Sequence, residues 1–200
     1  YQLAWTNGSR LEQKLAGLEA RKLLSEYFPG ENIFGEREEQ ESLLVYQQVD
    51  GGISILPYGE SELGLSAMVA SSTSGIFDNS GLIRYFYRVL DGNSTEDDRS
   101  LALLGLAALK EPVLLQINDY LLEEKLEPGV KINLALALLE IGDGAYAQEV
   151  FRELLGLYGE DLGSIMRINV GRAQDEIIEA TTQMTLLASR LDQPEKNKLY

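Results

Sequence analysis

The stretch Leu43–Ala70, LLVYQQVDGGISILPYGESELGLSAMVA, decides how the rest of the chain is read. It divides into the end of a helix, a glycine turn with a short extended link, and the start of a second helix. Asp50-Gly51-Gly52 is the pivot. Adjacent glycines permit positive φ and close backbone approach, which other residues resist. Glu60-Ser61-Glu62 then opens a small-residue helix whose Leu63, Leu65, Ala67, Met68 and Ala70 suit close packing.

Upstream of the pivot, Ser9 is positioned to cap a helix, with Glu12 three residues on as its capping-box partner. Leu11, Leu15, Leu18, Leu23 and Leu24 follow at helical spacing, and Pro29-Gly30 ends the run. A second helix with an acidic start is expected over Glu36–Gln48, the charges of Glu36, Glu38, Glu39 and Glu41 complementing the helix dipole.

Downstream, helices alternate with tight turns. Asp78 caps Ser80–Leu90, and Thr95 caps Glu96–Leu109. Pro112 opens a helix at its first turn that runs to about Lys125, and Pro128-Gly129 separates it from Val130–Ile141. Gly142-Asp143-Gly144 turns the chain into Ala145–Tyr158; Asp175–Leu191 is helical again and Pro194 opens a last helix. Between them Ser164–Val170 alternates, which predicts a short strand or hairpin arm near residues 163–171.

Three segments resemble one another: Ala102–Leu109 (ALLGLAAL), Leu134–Ile141 (LALALLEI) and Met184–Leu191 (MTLLASRL). Each is a small-residue helix followed by a tight turn and an amphipathic helix. A period of this size predicts stacked helical hairpins. A helix that is apolar all round is buried on most sides, so these three are expected in one inner layer, as the most buried helices. An irregular all-α bundle rich in Leu and Ala fits the same pattern.

Composition narrows the chemistry. The 200 residues carry 32 acidic and 17 basic side chains, a net charge of −15, which argues against nucleic acid or an anionic membrane as partner. There is no cysteine and no histidine. Disulfides, thiolate nucleophiles, Ser-His-Asp triads and the usual zinc sites are therefore excluded. No apolar run approaches membrane-spanning length, so no membrane insertion is expected. The chain begins at Tyr1 and ends in EKNKLY. The reading is a single helical-hairpin domain over residues 1–200, cut from a longer protein.

Beyond composition, YQQVDGGI, the turn Pro57-Tyr58-Gly59 and the helix SELGLSAMVA resemble the Q-x-x-D-G-G-F…S-x-x-L-T-A-x-V-x-x-A pattern of the α/α-toroid. That pattern occurs in the thioester-containing domain of bacterial alpha-2-macroglobulins and complement-like proteins, and in prenyltransferases and terpene cyclases. LLGLAALKEP, LALALLEIGDGAYAQEVFREL and the Asp175–Leu191 helix are similar to the alanine-leucine hairpins of bacterial alpha-2-macroglobulins. The resemblance implies an all-α fold, an α/α-toroid or an open arc of one. It implies an exported or surface-attached bacterial protein, although the absence of cysteine is compatible with the cytosol as well.

The family's reactive centre is a G-C-x-E-Q thioester at the start of the first toroid helix. The matching place here is Gly8-Ser9-Arg10-Leu11-Glu12-Gln13, with Gly8, Glu12 and Gln13 present, one extra residue, and Ser9 in place of a thiol. The resemblance then implies a decayed thioester region without covalent capture; the same residues also read as a plain helix start. The expectation is a non-enzymatic module with no cofactor and no metal, acting on a protein partner or on neighbouring domains of its own chain. Asp50, Gly51 and Gly52 serve as its structural turn. The alternative is a carbohydrate-active or terpenoid-type α/α-barrel enzyme. For that reading the candidate acids are Glu96-Asp97-Asp98, Glu60 with Glu62, and Asp175 with Glu176, and Tyr46, Tyr58, Tyr85 and Tyr87 are candidates for an aromatic surface.

Overall fold

The computed structural model describes residues 8–28, 43–72, 75–123, 125–171 and 173–199. Among them are eight α-helices and one two-stranded hairpin, an all-α fold with a short β-hairpin. The chain divides into two compact units, residues 1–85 and 86–200, with the division falling inside one helix.

In the first unit α1 (Leu11–Tyr27) buries Leu11, Leu15 and Leu18, while Leu23 of the expected stripe is 52% exposed. The expected Glu36–Gln48 helix lies largely outside the described residues. Its end is a 3-10 turn, Leu44–Tyr46, after which Gln47 pairs with Ile53 in a β-bridge rather than continuing the helix. Helix α2 (Leu63–Ser72) starts after the acidic pair rather than on it, burying Ala67 and Ala70 and leaving Met68 45% exposed. Asp78 caps α3 (Asn79–Asp91), its Oδ1 accepting from the Ser80 N–H at 3.0 Å.

The second unit contains α4 (Glu96–Ala108), α5 (Leu114–Leu121), α6 (Pro128–Ile141), α7 (Gly144–Tyr158) and α8 (Gln174–Arg190). Thr95 and Asp98 form the capping box of α4. Two proline expectations are corrected. Val113, not Pro112, precedes the first turn of α5, and α5 stops at Leu121 instead of reaching Lys125. Pro128 begins α6 at its first position instead of separating it, since an N–H there would have no helical partner anyway.

Helix α6 packs against α4, α5, α7 and α8, and Ile132–Leu138 is buried without a break. Two bonds show that α4 and α6 run parallel. Near their N-termini the buried Asn133 amide donates to Ser100 Oγ at 3.0 Å, and at their C-termini Lys110 Nζ donates to the Glu140 carbonyl at 2.6 Å. At the same end Arg190 of α8 pairs with the Glu140 carboxylate, so α8 brings its C-terminus to the same place.

The three helices also end alike. Just past each end, one residue on for α6 and two for α4 and α8, the chain enters the left-handed region at Lys110 (φ 66), Gly142 (φ 99) and Asp192 (φ 53). The N–H after it reaches back to the helix, Glu111 to the Leu106 carbonyl, Asp143 to Leu138 and Gln193 to Ala188. The repeat read in the sequence is thus a repeat of backbone geometry. Burial is less uniform than expected. Ala102–Ala107 of α4 and Ile132–Leu138 of α6 are buried without a break, but α8 leaves Leu186 51% exposed, with Ser189 and Arg190 on the surface. Nothing among the described residues covers that side of α8, which explains why its sequence is more polar than the other two.

The predicted hairpin arm is β2 (Met166–Ile168), antiparallel to β1 (Gly159–Asp161). The first arm lies upstream of the expected window because α7 runs straight into it. Each unit holds its extended segment in one way: the Ile53 N–H donates to Ser66 Oγ at 2.8 Å, and the Ile168 N–H to Thr181 Oγ1 at 3.0 Å, each hydroxyl lying 13 residues downstream on the following helix.

Candidate functional site

The pivot residues Asp50, Gly51 and Gly52 and the helix-start residues Gly8, Ser9, Glu12 and Gln13 all fall in the first unit, and the fold brings the two sets together. Tyr46 Oη, beside the pivot, donates to the Ser9 carbonyl at 2.6 Å, and the Leu11 N–H donates to the Ile55 carbonyl at 2.9 Å. Tyr46 is only 2% exposed, and burial, with a smaller contribution from Tyr58, pushes its phenol above the ordinary value.

The pivot itself is closed by its own side chains. Gly51 takes φ 93, and a Cβ there would lie 2.2 Å from the Gly81 carbonyl oxygen. Asp50 Oδ1 accepts from the Gly52 N–H (3.0 Å) and from Ser61 Oγ (2.6 Å). Gln47 reaches across the turn, its amide nitrogen donating to the Gly51 and Asp78 carbonyls and its Oε1 accepting from the Asp78 N–H. Asp50, Gly51 and Gly52 therefore sit in a network that holds the link between the 3-10 turn and α2.

The capping expectation for Ser9 is corrected. Arg10 occupies the N-cap of α1 with no side-chain cap bond, and Glu12 is drawn to the Arg10 guanidinium at 2.5 Å instead of back to a serine. Gln13 folds against Gly8, so closely that a Cβ on Gly8 would meet Gln13 Oε1 at 1.6 Å. Ser9 is exposed.

The second unit contains the groove that the sequence reading did not find. It has a volume of about 470 Å³ and lies between the C-terminal part of α3, α4 and α5. Each helix presents one face at helical spacing: Tyr87, Leu90 and Asp91 from α3; Arg99 and Leu103 from α4; Gln116, Asp119 and Tyr120 from α5, with Glu123 just beyond it. Leu103 is 3% and Tyr120 7% exposed, so an apolar and aromatic floor carries a polar rim.

Both tyrosine hydroxyls are committed inside the fold. Tyr120 Oη donates to the Glu96 carbonyl at 2.9 Å, and Tyr87 Oη donates to Glu111 Oε2 at 2.9 Å. Burial above all, then the negative charges of Glu96 and Glu123, pushes the Tyr120 phenol up to about 12; nearby Arg99 offsets part of this. The Tyr87 phenol is raised by burial and by Glu111.

The acids proposed for catalysis are dispersed. Asp98 accepts from the Thr95 N–H in the capping box of α4, and burial with neighbouring Asp98 raises the Asp97 carboxyl. Glu60 lies by a shallow depression at the pivot with Asp50 and Ser61, while Glu62 serves α2 through its main chain, its carbonyl accepting from the Ser66 N–H and hydroxyl. Asp175 and Glu176 occupy the first turn of α8. Among the described residues no group of three or more acidic side chains is placed to hold a metal. Of the four tyrosines named for an aromatic surface, Tyr87 lines the groove, Tyr46 is core, Tyr85 is half-buried with its ring against Gly52, and Tyr58 is 84% exposed.

One signal for the groove was present in the sequence. Gln116, Asp119, Tyr120 and Glu123 follow the i, i+3, i+4, i+7 spacing of a single helix face, a polar and aromatic stripe beside the apolar one of Val113, Ile117 and Tyr120. No family model, no curated protein and no solved structure matches the chain.

Proposed function

We propose that the chain is a non-catalytic interaction or structural module of an exported or surface bacterial protein related to alpha-2-macroglobulins, working through contacts with a protein partner or with neighbouring domains of its own chain. The observation that carries this reading is the groove on the second unit. Its two tyrosine hydroxyls are spent on internal hydrogen bonds, and its carboxylates stand on a water-exposed rim. A surface that is apolar below and polar around suits a protein contact better than bond cleavage, which needs reactive groups aimed at one point. Leu115 on α5 and Leu122 at its C-cap, one heptad apart and 75% and 76% exposed, add an apolar face next to it.

Covalent capture has no chemical basis in these residues. Ser9 has no histidine to deprotonate it, and the chain holds no thiol. The test is intact-mass spectrometry after incubation with methylamine and with proteases, together with a screen for sugar release from polysaccharides. The expected result is an unchanged mass and no release. A mass increase abolished by Ser9→Ala or Gln13→Ala overturns the reading. Sugar release lost on mutating two specific carboxylates supports the enzyme alternative instead.

A further inference from the structure

We propose that the groove between α3, α4 and α5 is the docking site for an extended segment of a protein partner that places a lysine or arginine side chain, flanked by aliphatic residues, between Asp119, Glu123 and Asp91. This rests on the interaction reading above and names the chemistry of the partner. Volume comes first: about 470 Å³ accommodates a few side chains of an extended segment, not the face of a folded domain. Charge comes second. The rim carries three carboxylates against the single guanidinium of Arg99, and none of the four is ion-paired among the described residues. The other exposed acids that are paired, such as Glu153 with Lys131 and Glu160 with Arg167, have their counter-charge within the chain.

The floor sets the rest of the recognition. Over the buried Leu103 and Tyr120, the half-buried Tyr87 and Leu90 give apolar surface for the methylene stem of a long cationic side chain and for its aliphatic neighbours. Tyrosine rings also attract a cation held over them. A net charge of −15 steers basic segments towards the chain and anionic ones away.

The experiment uses the chain and three fluorescein-labelled peptides that are identical except at the centre: Leu-Arg-Leu, Leu-Glu-Leu and Leu-norleucine-Leu. Fluorescence anisotropy gives affinity, amide chemical-shift mapping gives place, and intact mass of the peptide is read afterwards. The arginine peptide is expected to bind at least about tenfold more tightly than the glutamate peptide, less so as salt is raised. Its shifts are expected to centre on Tyr87, Leu103 and Tyr120. The rim double variant Asp119→Asn/Glu123→Gln is expected to remove that preference, and Arg99→Gln to strengthen it, a sign that general loss of structure does not produce. Equal binding of all three peptides, shifts away from the groove, or no response to the rim variants overturns the proposal. So does a neutral oligosaccharide that shifts the groove amides when the peptides do not. Peptide bound but cleaved or modified overturns the non-catalytic reading while supporting the docking site; no binding with an inert chain does the reverse.

Discussion

Arg190 Nη1 donates to Glu140 Oε1 at 2.7 Å across 50 residues of sequence, and Lys110 reaches the same residue from the other side. Glu140 has a side chain only 9% exposed, so one carboxylate ties the C-terminal ends of α4, α6 and α8 together. Removing it leaves two cations that are partly solvated and returns them to water. Glu140→Ala is expected to lower stability in urea unfolding by about 1–2 kcal/mol, and Arg190→Ala by about half as much. A double-mutant cycle is expected to show coupling between 140 and 190; additive losses would mean that the pair is ornamental.

The three left-handed helix ends make opposite predictions for glycine and non-glycine. Gly142 has φ 99, and a side chain there is expected to cost about 1–2 kcal/mol, measured for Gly142→Val by thermal unfolding. Asp192 already bears that cost, with φ 53 and an exposed side chain. Asp192→Gly is therefore expected to be neutral or stabilising, by no more than about 1 kcal/mol.

At the pivot, Gly51 combines positive φ with the Gly81 carbonyl 2.2 Å from where its Cβ would be. Gly51→Val is expected to destabilise by more than about 1 kcal/mol. Hydrogen exchange at Gly52 and Ile53 is expected to rise with it, since their N–H groups rely on Asp50 and Ser66.

A close approach of another kind joins Gly105 to Phe86. A Cβ on Gly105 would lie 2.3 Å from the Phe86 ring, and Phe86 is fully buried. Gly105→Ala is expected to cost about 1–3 kcal/mol by overpacking. Phe86→Leu in the same chain is expected to recover part of that loss, whereas the two substitutions would add if they acted independently.

Tyr120 gives a pH dependence. Its phenol titrates at about 12 in the folded chain, above its ordinary value of 10.0. Between those values the folded chain keeps a proton that the unfolded chain has lost, so stability is full below pH 10 and falls as pH rises towards 12. Tyr120→Phe is expected to flatten the alkaline arm of the stability profile and to remove the highest-pH component of the tyrosinate absorbance titration.

Much of the fold was legible because helix signals are local. Thr95 and Asp98, three residues apart, close a capping box wherever they fold, and the left-handed turns at Lys110, Gly142 and Asp192 end three helices whose Leu/Ala texture already matched. Charge and the absence of cysteine and histidine likewise bounded the chemistry without coordinates. What only the tertiary structure decided depends on which faces meet. Ser9 loses its capping role because α1 begins at Leu11, which puts Arg10 at the N-cap, and Glu12 pairs with the Arg10 guanidinium. The Met184–Leu191 helix is half exposed because nothing among the described residues covers one side of it. The groove exists because stripes from α3, α4 and α5 converge, from Tyr87 to Glu123. Each stripe is visible in the sequence, but periodicity says which residues share a face and not which face lies opposite, since that choice is made by packing between distant segments.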